Sequence, residues 1–370
     1  MQGFKEIVKK ANDIINKKTI FSCEFESITP WWGGGADGST SEHVDEDEIA
    51  GRLRWFLRTV YNRFCASSDD LKSYRKSMAW VGQLLGSSVN GKSPYIIHTE
   101  SRAITKINKR KAPIDNLNLS LKIILNGSVY KDAISDDEQK KYNEIISSAT
   151  LLTLAYIGIG KRANRGFGRF YPKNCRYLNE NNTNNITKVV EEKIKEGKVE
   201  EAFSSFYDFF KKNVCKNSLI NSWNESLVPL APLVNSKDND ECTIINTYKC
   251  RLPIRSLLKI IKDAVAKQIQ QKLPKSSKFL RIQSILIIIA PYSKDSSNNQ
   301  GVGIAILPFL SKKDHEETLK KPKEHYKDRI INEIYEFCKV ISKTIKEKCD
   351  NKEYYDNKWS QQYKKNKNYK

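Results

Sequence analysis

The amino-acid sequence predicts an α+β protein built from two ferredoxin-like (RRM-like, βαββαβ) domains with helical insertions. The chain has 370 residues, enough for two domains of ordinary size, and 39% of them are hydrophobic, enough for buried cores. Patterns in the first half follow the order strand, helix, strand, strand, helix, strand of the split βαβ unit. An Asn-rich stretch at 179–187 is poor in apolar residues, so we place there the boundary between a first domain at 1–178 and a second at 179–370.

The first domain is expected to begin with a strand and a long helix. Thr19 to Ile28 alternates as a half-buried strand does, and Pro30 ends it. The acidic run Asp45 to Glu48 suits the positive end of a helix dipole, so a helix should run from there to about Ala66. The remaining elements are a short helix, two strands, a helix and a closing strand, at Leu71–Leu85, Tyr95–Ile104, Leu117–Leu125, Asp136–Ile157 and Gly166–Tyr171.

The second domain mixes helices and strands in a way that would suit a second copy of the same unit. Its predicted elements are an aromatic-rich helix, a second helix, a strand pair and a last helix, at Phe203–Phe210, Arg255–Gln271, Leu280–Ala290 with Val302–Phe309, and Tyr326–Lys346. The end of the chain, from Asn351, is polar and is expected to be a frayed tail.

The charge balance favours a polyanionic partner. The formal net charge is +21, and only part of the excess lies at the C-terminal end, so the body of the protein is basic. Nucleic acid is the commonest polyanion in a cell, and a basic body of this size attracts it. A lysine-rich surface that serves solubility alone is the alternative.

Cysteine and histidine usage argues against a metal site. The chain has eight cysteines, none spaced C-x-x-C, and four histidines, so we expect no metal and no cofactor. Free thiols packed as small hydrophobic side chains in a reducing cytoplasm are expected instead. Met1 to Asn16 is charged and amphipathic, unlike a signal peptide, and the longest apolar run, Ile285 to Ala290, is too short to span a bilayer.

The glycine-rich loop, Gly158 to Arg169, is the most informative segment. It holds four glycines and four cations, Lys161, Arg162, Arg165 and Arg169, within twelve residues. Glycines would let the backbone approach a phosphate and point its N–H groups at it, while the cations supply charge. Dinucleotide and P-loop glycines follow a strand and open a helix, whereas this loop follows a helix and opens a strand. An extended nucleic-acid backbone is therefore favoured over a nucleotide cofactor, and a helix C-cap with solvated charges is the alternative.

The predicted helix from Ile49 to Phe64 carries a second basic surface. Arg54 and Arg58 share one flank, and Arg52 and Arg63 the other. Trp55 projects between these flanks, where it could stack on a base, or it could be buried against a neighbouring part of the protein. The core face of the helix is the apolar stripe Ile49, Leu53, Phe56, Leu57, Val60 and Phe64.

Two further patterns bear on enzymatic functions. Gly86 to Ser93 fits the P-loop pattern, but the residues before it lack the features of a buried strand, so an ATPase is disfavoured. His98 lies in a predicted strand and could be the general acid or base of a metal-independent ribonuclease. A lone histidine is more often a packed or surface residue.

Four segments in this order and spacing resemble the RAMP proteins of CRISPR systems, most closely the first RAMP subunit of the type III-B (Cmr) RNA-silencing complex. The segments are Ile28–Asp37, Ile49–Arg58, Gly86–Ser88 and Gly158–Gly168. The resemblance implies ferredoxin-like domains, no catalytic role, and a place near the end of the complex that holds the 3′ part of the guide RNA and its target. Ala50 stands where the family usually has a basic residue.

The residues and the resemblance together predict the partners. Single-stranded RNA (guide and/or target) and other Cmr-complex subunits are expected, without a membrane. A repeat-processing endoribonuclease, as some RAMP relatives are, and a purely structural capping subunit are the alternatives. RNA contacts are expected at Arg52, Arg54, Trp55, Arg58, Lys161, Arg162, Arg165, Gly166, Phe167 and Arg169.

Overall fold

The structure is a computed structural model, and its backbone is described for most of the first half of the chain and for selected parts of the second. The described residues are 2–33, 39–65, 70–88, 91–104, 112–126, 135–178, 185–215, 230–232, 245–250, 254–261, 263, 285–291, 302–308, 343–344 and 346–347.

A four-stranded antiparallel sheet forms the centre of the first half. Its strands are β1 (Thr19–Ser27), β2 (Tyr95–Ala103), β3 (Leu117–Leu125) and β4 (Phe170–Tyr177), in the spatial order β2-β3-β1-β4. Every pair of neighbouring strands is antiparallel, and the helical connections from β1 to β2 and from β3 to β4 each pass over one intervening strand. The predicted order of strands and helices in the first half is therefore confirmed, within a mixed α+β fold. The closing strand starts later than predicted, because the glycines at 166 and 168 adopt positive φ in a turn.

Helices cover one face of this sheet. The apolar stripe predicted for the second helix is fully confirmed, since each of its six residues is buried. The opposite face is open and polar along β1 and β3, where Glu24 and Glu26 lie near Asn118 and Ser120. The helices of this half are α1 (Gln2–Lys18), α2 (Glu46–Cys65), α3 (Asp70–Leu85) and α4 (Asp136–Leu152).

The start and the end of α4 have separate local causes. A capping box starts it, because the Ser135 hydroxyl accepts from the Glu138 N–H and the Glu138 carboxylate accepts from the Ser135 N–H. At its end the chain continues as a π-helical turn, Thr153–Ile157, which closes when the Gly158 N–H donates to the Thr153 carbonyl at 2.6 Å. This turn delivers the chain to the glycine-rich loop.

Two helices that follow residue 178 add to the same hydrophobic core. They are α5 (Ile186–Lys195) and α6 (Val199–Val214), and the predicted aromatic-rich stretch is the buried face of α6. Phe203 and Phe206 pack against Phe56 of α2, with ring centroids 6.0 and 5.7 Å from it. The division of the chain into domains at 1–178 and 179–370 stays a prediction.

The second half contains a smaller antiparallel sheet. Its strands are β5 (Ile245–Cys250), β6 (Ile285–Pro291) and β7 (Val302–Pro308), in the order β5-β7-β6. The β6–β7 pair confirms the strand pair predicted there, and residues 254–261 are helical as predicted. The described strands do not establish a second ferredoxin-like domain. Most of the predicted helix Tyr326–Lys346, and the tail after it, lie outside the described residues.

The expectation of free thiols is wrong for four of the cysteines. Cys23 forms a disulfide with Cys175, and Cys65 forms one with Cys215. Cys23 and Cys175 are register partners on β1 and β4, and the other pair joins the end of α2 to the end of α6. Their sequence separations of 152 and 150 residues explain why spacing along the chain gave no sign of them.

Other expectations concern metal ions, membranes and the P-loop pattern. Among the described residues, no group of His, Cys, Asp and Glu side chains is arranged to hold a metal ion. In that same part of the chain, no helix has the length and apolar character needed to cross a membrane. Gly86 directly follows α3, and β2 begins at Tyr95, so the P-loop pattern lies between a helix and a strand, the reverse of a true P-loop.

Candidate nucleic-acid interface

The glycine-rich loop packs against residues 29–33, which we call the tryptophan segment. The Gly168 N–H donates to the Pro30 carbonyl at 3.1 Å, and the Lys161 N–H donates to the Trp32 carbonyl at 2.7 Å. Two stretches far apart in sequence are thereby joined into one unit at the ends of β1 and β4.

The glycines of the loop make this close packing possible. A Cβ on Gly168 would lie 1.9 Å from the Ile159 carbonyl oxygen, and one on Gly160 would lie 2.9 Å from the Trp31 ring and 3.0 Å from the Trp32 carbonyl oxygen. Both glycines also have positive φ, of 63° and 86°. Gly160 and Gly168 therefore serve contacts within the chain, a different role from the phosphate approach that the sequence pattern predicts.

Most of the backbone N–H groups that the sequence predicts to face a phosphate are bonded within the chain. A phosphate would need several of these groups to be unbonded, and they donate instead within the chain, mostly to carbonyl oxygens. The groups concerned are the N–H groups of Gly158, Ile159, Lys161, Ala163, Gly166, Phe167, Gly168 and Arg169. Any anion held at this surface must be bound mainly by side chains.

Arg169 holds the loop from the inside. Its side chain is 0% exposed, and its guanidinium donates to the carbonyls of Phe167 at 3.0 Å and Ala163 at 2.8 Å. Burial lowers the pKa of Arg169 well below its usual value, and the positive charge of Arg52 lowers it further. The predicted phosphate contact of Arg169 is thus corrected, because a fully buried guanidinium cannot reach a ligand on the surface.

Arg52 joins α2 to the loop. Its Nε donates to the Gly158 carbonyl at 3.1 Å, and its Nη2 donates to the Asn164 side-chain oxygen at 2.7 Å. Burial lowers the pKa of Arg52 to about 10, and the carboxylate of Glu48 opposes this shift. Arg52 therefore remains charged at neutral pH, and the helix and the loop lie side by side as the site prediction requires.

Glu48 makes a second connection between α2 and the loop. Its carboxylate accepts a hydrogen bond from the Gly160 N–H. Burial raises the pKa of Glu48, and the charge of Asp45 adds to the increase, while Lys161 and Arg52 oppose it. The sequence pattern indicates only that Glu48 belongs to the acidic start of the helix.

The other predicted residues of α2 face different neighbours. Trp55 is half-buried against the core, with the Arg52 guanidinium 4.7 Å from its ring centroid. Arg54 donates to the Leu85 carbonyl at the end of α3 at 2.5 Å, and Arg58 points its Nη1 at the Met78 sulfur at 2.9 Å. Burial lowers the pKa of Arg58. Arg54 and Arg58 thus line the side of α2 that contacts α3, whereas Arg52 contacts the loop.

The exposed part of the loop centres on Arg162. Its guanidinium lies 4.5 Å from the centroid of the Trp32 ring, and Trp32 in turn contacts Phe167 with ring centroids 5.7 Å apart. Lys161 is exposed beside it, and the backbone of Arg165 lies in a 3-10 turn, Ala163–Arg165, while its side chain falls outside the described part. This surface combines positive charge with aromatic rings.

Trp32 is the site residue that sequence analysis left without a role. Trp31 is fully buried and donates through its indole N–H to the Ser41 carbonyl at 2.9 Å, whereas Trp32 is half-exposed under Arg162. Successive residues of an extended chain point to opposite sides, so one of the two tryptophans had to face outward. The sequence could not tell which one does.

His98 lies on β2 among carboxylates. Its ring nitrogens are 3.9 Å from a carboxylate oxygen of Glu46 and 3.4 Å from one of Glu100. Acidic neighbours repel a phosphate backbone, so this setting does not favour the ribonuclease hypothesis.

Comparison with known proteins gives one family and a set of similar structures. Residues 24–171 match the family model of the RAMP superfamily, which confirms the resemblance over that range. No match is found among curated proteins.

Two similar structures are chains of the type III-B Cmr-beta. One is a cryo-EM structure bound to cognate target RNA, with TM-score 0.54, and the other is bound to cognate target RNA and AMPPnP in the presence of ssDNA, with TM-score 0.52. Each is 12% identical and covers 89% of this chain and 100% of the other, so the similarity is one of fold. The apo crystal structure of Cmr1 from Pyrococcus furiosus is 13% identical, covers 79% of this chain and 88% of its own, and has a TM-score of 0.45, too low to indicate a shared fold.

Proposed function

On the premise that residues 24–171 match the RAMP superfamily, we propose that the protein is a non-catalytic RNA-binding subunit of a type III-B CRISPR (Cmr) effector complex. It contacts guide and/or target RNA near the 3′ end of the guide, as part of antiviral defence. Its partners are single-stranded RNA and the other subunits of the complex, with which it is placed in the cytoplasm. A second ferredoxin-like domain around the β5-β7-β6 sheet belongs to the same proposal.

The observation that carries the proposal is the exposed pair Lys161 and Arg162 on a rigidly held loop. Arg52, Glu48 and Arg169 fix this loop from behind through hydrogen bonds to its backbone and to Asn164. Cations at fixed positions on a chain of net charge +21 suit the repeating charges of a nucleic-acid backbone. The Cmr-beta structures of similar fold are themselves bound to target RNA, which supports this ligand.

Binding in this proposal depends on shape and charge. Lys161, Arg162 and Arg165 contact phosphates, Phe167 adds an aromatic surface, and Arg54 with Arg58 forms a separate basic patch beside α3. Most backbone N–H groups of the loop are already bonded within the chain, so the contacts are made by side chains and spread along the strand. Pairing between guide and target would then supply the sequence specificity.

The proposal is tested by removing charge from the loop of the full-length chain. Arg162→Ala/Arg165→Ala should weaken binding to labelled single-stranded RNA, and the slope of log K against log salt should become less steep by about 1.4, at about 0.7 per lost phosphate contact. The matched control is Arg102→Ala/Arg176→Ala, which removes two exposed arginines from β2 and β4. Unchanged affinity and slope in the loop variant would favour the purely structural capping subunit.

The same RNA preparation tests the absence of catalysis. Incubation of the protein with CRISPR repeat RNA, without metal ions, should leave the RNA intact on a denaturing gel. Cleavage that disappears in His98→Ala would contradict the non-catalytic role and support the repeat-processing endoribonuclease.

A further inference from the structure

Two contacts between an arginine and a tryptophan flank the glycine-rich loop, and they differ in exposure. In one, Arg52 lies over Trp55, but Arg52 is only partly exposed and two of its nitrogens already donate to loop oxygens. In the other, Arg162 lies over Trp32 and is exposed. Within the described part of the chain, the Arg162 side chain makes no hydrogen bond or ion pair. The second contact is therefore open to a ligand, and the first is not.

The backbone of Arg162 is held in an unfavourable conformation. Its φ is 61°, in the left-handed region, and among the described non-glycine residues it alone has positive φ. A Cβ makes this region costly, whereas a glycine adopts it freely. The loop has glycines with positive φ at 158, 160, 166 and 168, yet an arginine occupies this position. Unfavourable backbone conformations of this kind cluster at binding sites, and here the conformation places the guanidinium over the indole.

The surface that results is aromatic and cationic. The Arg162 guanidinium lies over the Trp32 ring, and the Phe167 ring contacts Trp32 at an interplanar angle of 53°. Guanidinium planes and aromatic rings are the groups on which proteins stack unpaired bases. A paired base inside a helix already has neighbours above and below it, so an unpaired base is the one whose face is available for this contact.

We propose that Arg162, supported by Trp32 and Phe167, forms a stacking site for one unpaired RNA base. The inference rests on the proposed RNA-binding function and adds that this position recognises a base face as well as the backbone charge. The base stacks on the outer face of the guanidinium, Trp32 acts as a positioning residue from below, and the exposed Lys161 lies beside the site for the adjoining phosphate.

The test separates stacking from charge by using Arg162→Lys in the full-length chain. Lysine keeps the positive charge but lacks the planar guanidinium group on which a base could stack. The probes are a single-stranded RNA, the same strand with abasic sugars at successive positions, and the corresponding duplex. Arg162→Lys should weaken binding of the intact single strand by about tenfold. The affinity of Arg162→Lys for the abasic strand and for the duplex should equal that of the unaltered protein. The salt dependence of its binding should also be unchanged.

Trp32→Ala should give the same selective loss, because it removes the support of the guanidinium and no charge. Trp32→Phe keeps an aromatic ring and should restore most of the affinity. Arg162→Gly should lose the stacking and also lower the salt slope by about 0.7. The matched control is Arg176→Lys on β4, which makes the same change at an exposed position and should alter nothing. Thermal unfolding of each variant checks that it is folded.

The outcomes distinguish this inference from the function on which it rests. If binding depends on salt but Arg162→Lys and Trp32→Ala bind intact and abasic strands in the original ratio, the stacking site is refuted and the RNA-binding function stands. If the full-length chain shows no salt-dependent RNA binding, both are refuted. If Trp32→Ala is unfolded, Trp32→Phe and Arg162→Lys decide the question.

Discussion

Arginines that look equivalent in the sequence have opposite environments in the loop. Arg162 and Arg169 are both part of a cluster of glycines and cations, yet one is exposed and the other is entirely buried. Sequence analysis could identify the cluster because its composition is unusual. It could not separate the two roles, because burial of Arg169 depends on the turn that brings the carbonyls of Ala163 and Phe167 around it.

Arg169→Met tests the internal role of this arginine. The substitution leaves two carbonyl oxygens without their guanidinium donors, so the free energy of unfolding should fall by about 2 to 3 kcal/mol. Urea unfolding measures the change, and Arg176→Met, at an exposed position on β4, is the control. Equal stability of the two variants would contradict the internal role.

At the scale of elements, α2 combines two functions on different faces. Its core stripe follows from a spacing of three to four residues, and the structure confirms every member. The partners of its polar face could not be predicted, because they come from the loop and from α3, which are distant in sequence. The packing of α6 against Phe56 was likewise beyond prediction, since an amphipathic helix shows that it has a buried face without showing what covers it.

The contact between Glu48 and the loop predicts a dependence of stability on pH. An acid whose pKa is raised in the folded state binds protons more readily there, so stability falls as the pH rises through that pKa. Glu48→Gln keeps an oxygen acceptor for the Gly160 N–H and removes the ionisation. The stability of the variant relative to the unaltered protein should therefore increase between about pH 4 and pH 7, the range above the usual glutamate pKa. Urea unfolding at both pH values measures this, and a difference that does not vary with pH would contradict it.

At the scale of the whole molecule, long-range connections hold the chain together. Arg63 of α2 donates to the Ala231 carbonyl at 2.8 Å, and the Ala231 N–H donates to the Thr59 carbonyl at 3.1 Å. Arg255 pairs with both carboxylate oxygens of Asp115, just before β3. Local patterns predicted the strands and helices, but these connections join residues 140 or more positions apart.

The two disulfides are expected to stabilise the folded chain as a whole. Each closes a loop of about 150 residues, and such a bond commonly contributes about 2 to 4 kcal/mol by restricting the unfolded chain. Dithiothreitol should therefore lower the Tm, and Cys65→Ala/Cys215→Ala should lower it without reductant. Peptide mapping of unreduced protein should recover both pairs. Complete alkylation of all cysteines without reductant, with the same Tm in either condition, would contradict the pairing.

The joining of the glycine-rich loop to the tryptophan segment has a consequence for folding during synthesis. The hydrogen bond from the Arg169 N–H to the Thr29 hydroxyl spans 140 residues, and β4 pairs with β1 next to it. Contacts that span so much chain form late, since the intervening segment must first be ordered. A nascent chain therefore lacks the completed loop surface until β4 has emerged from the ribosome and closed on β1, so the proposed RNA binding would be delayed until the first sheet is complete.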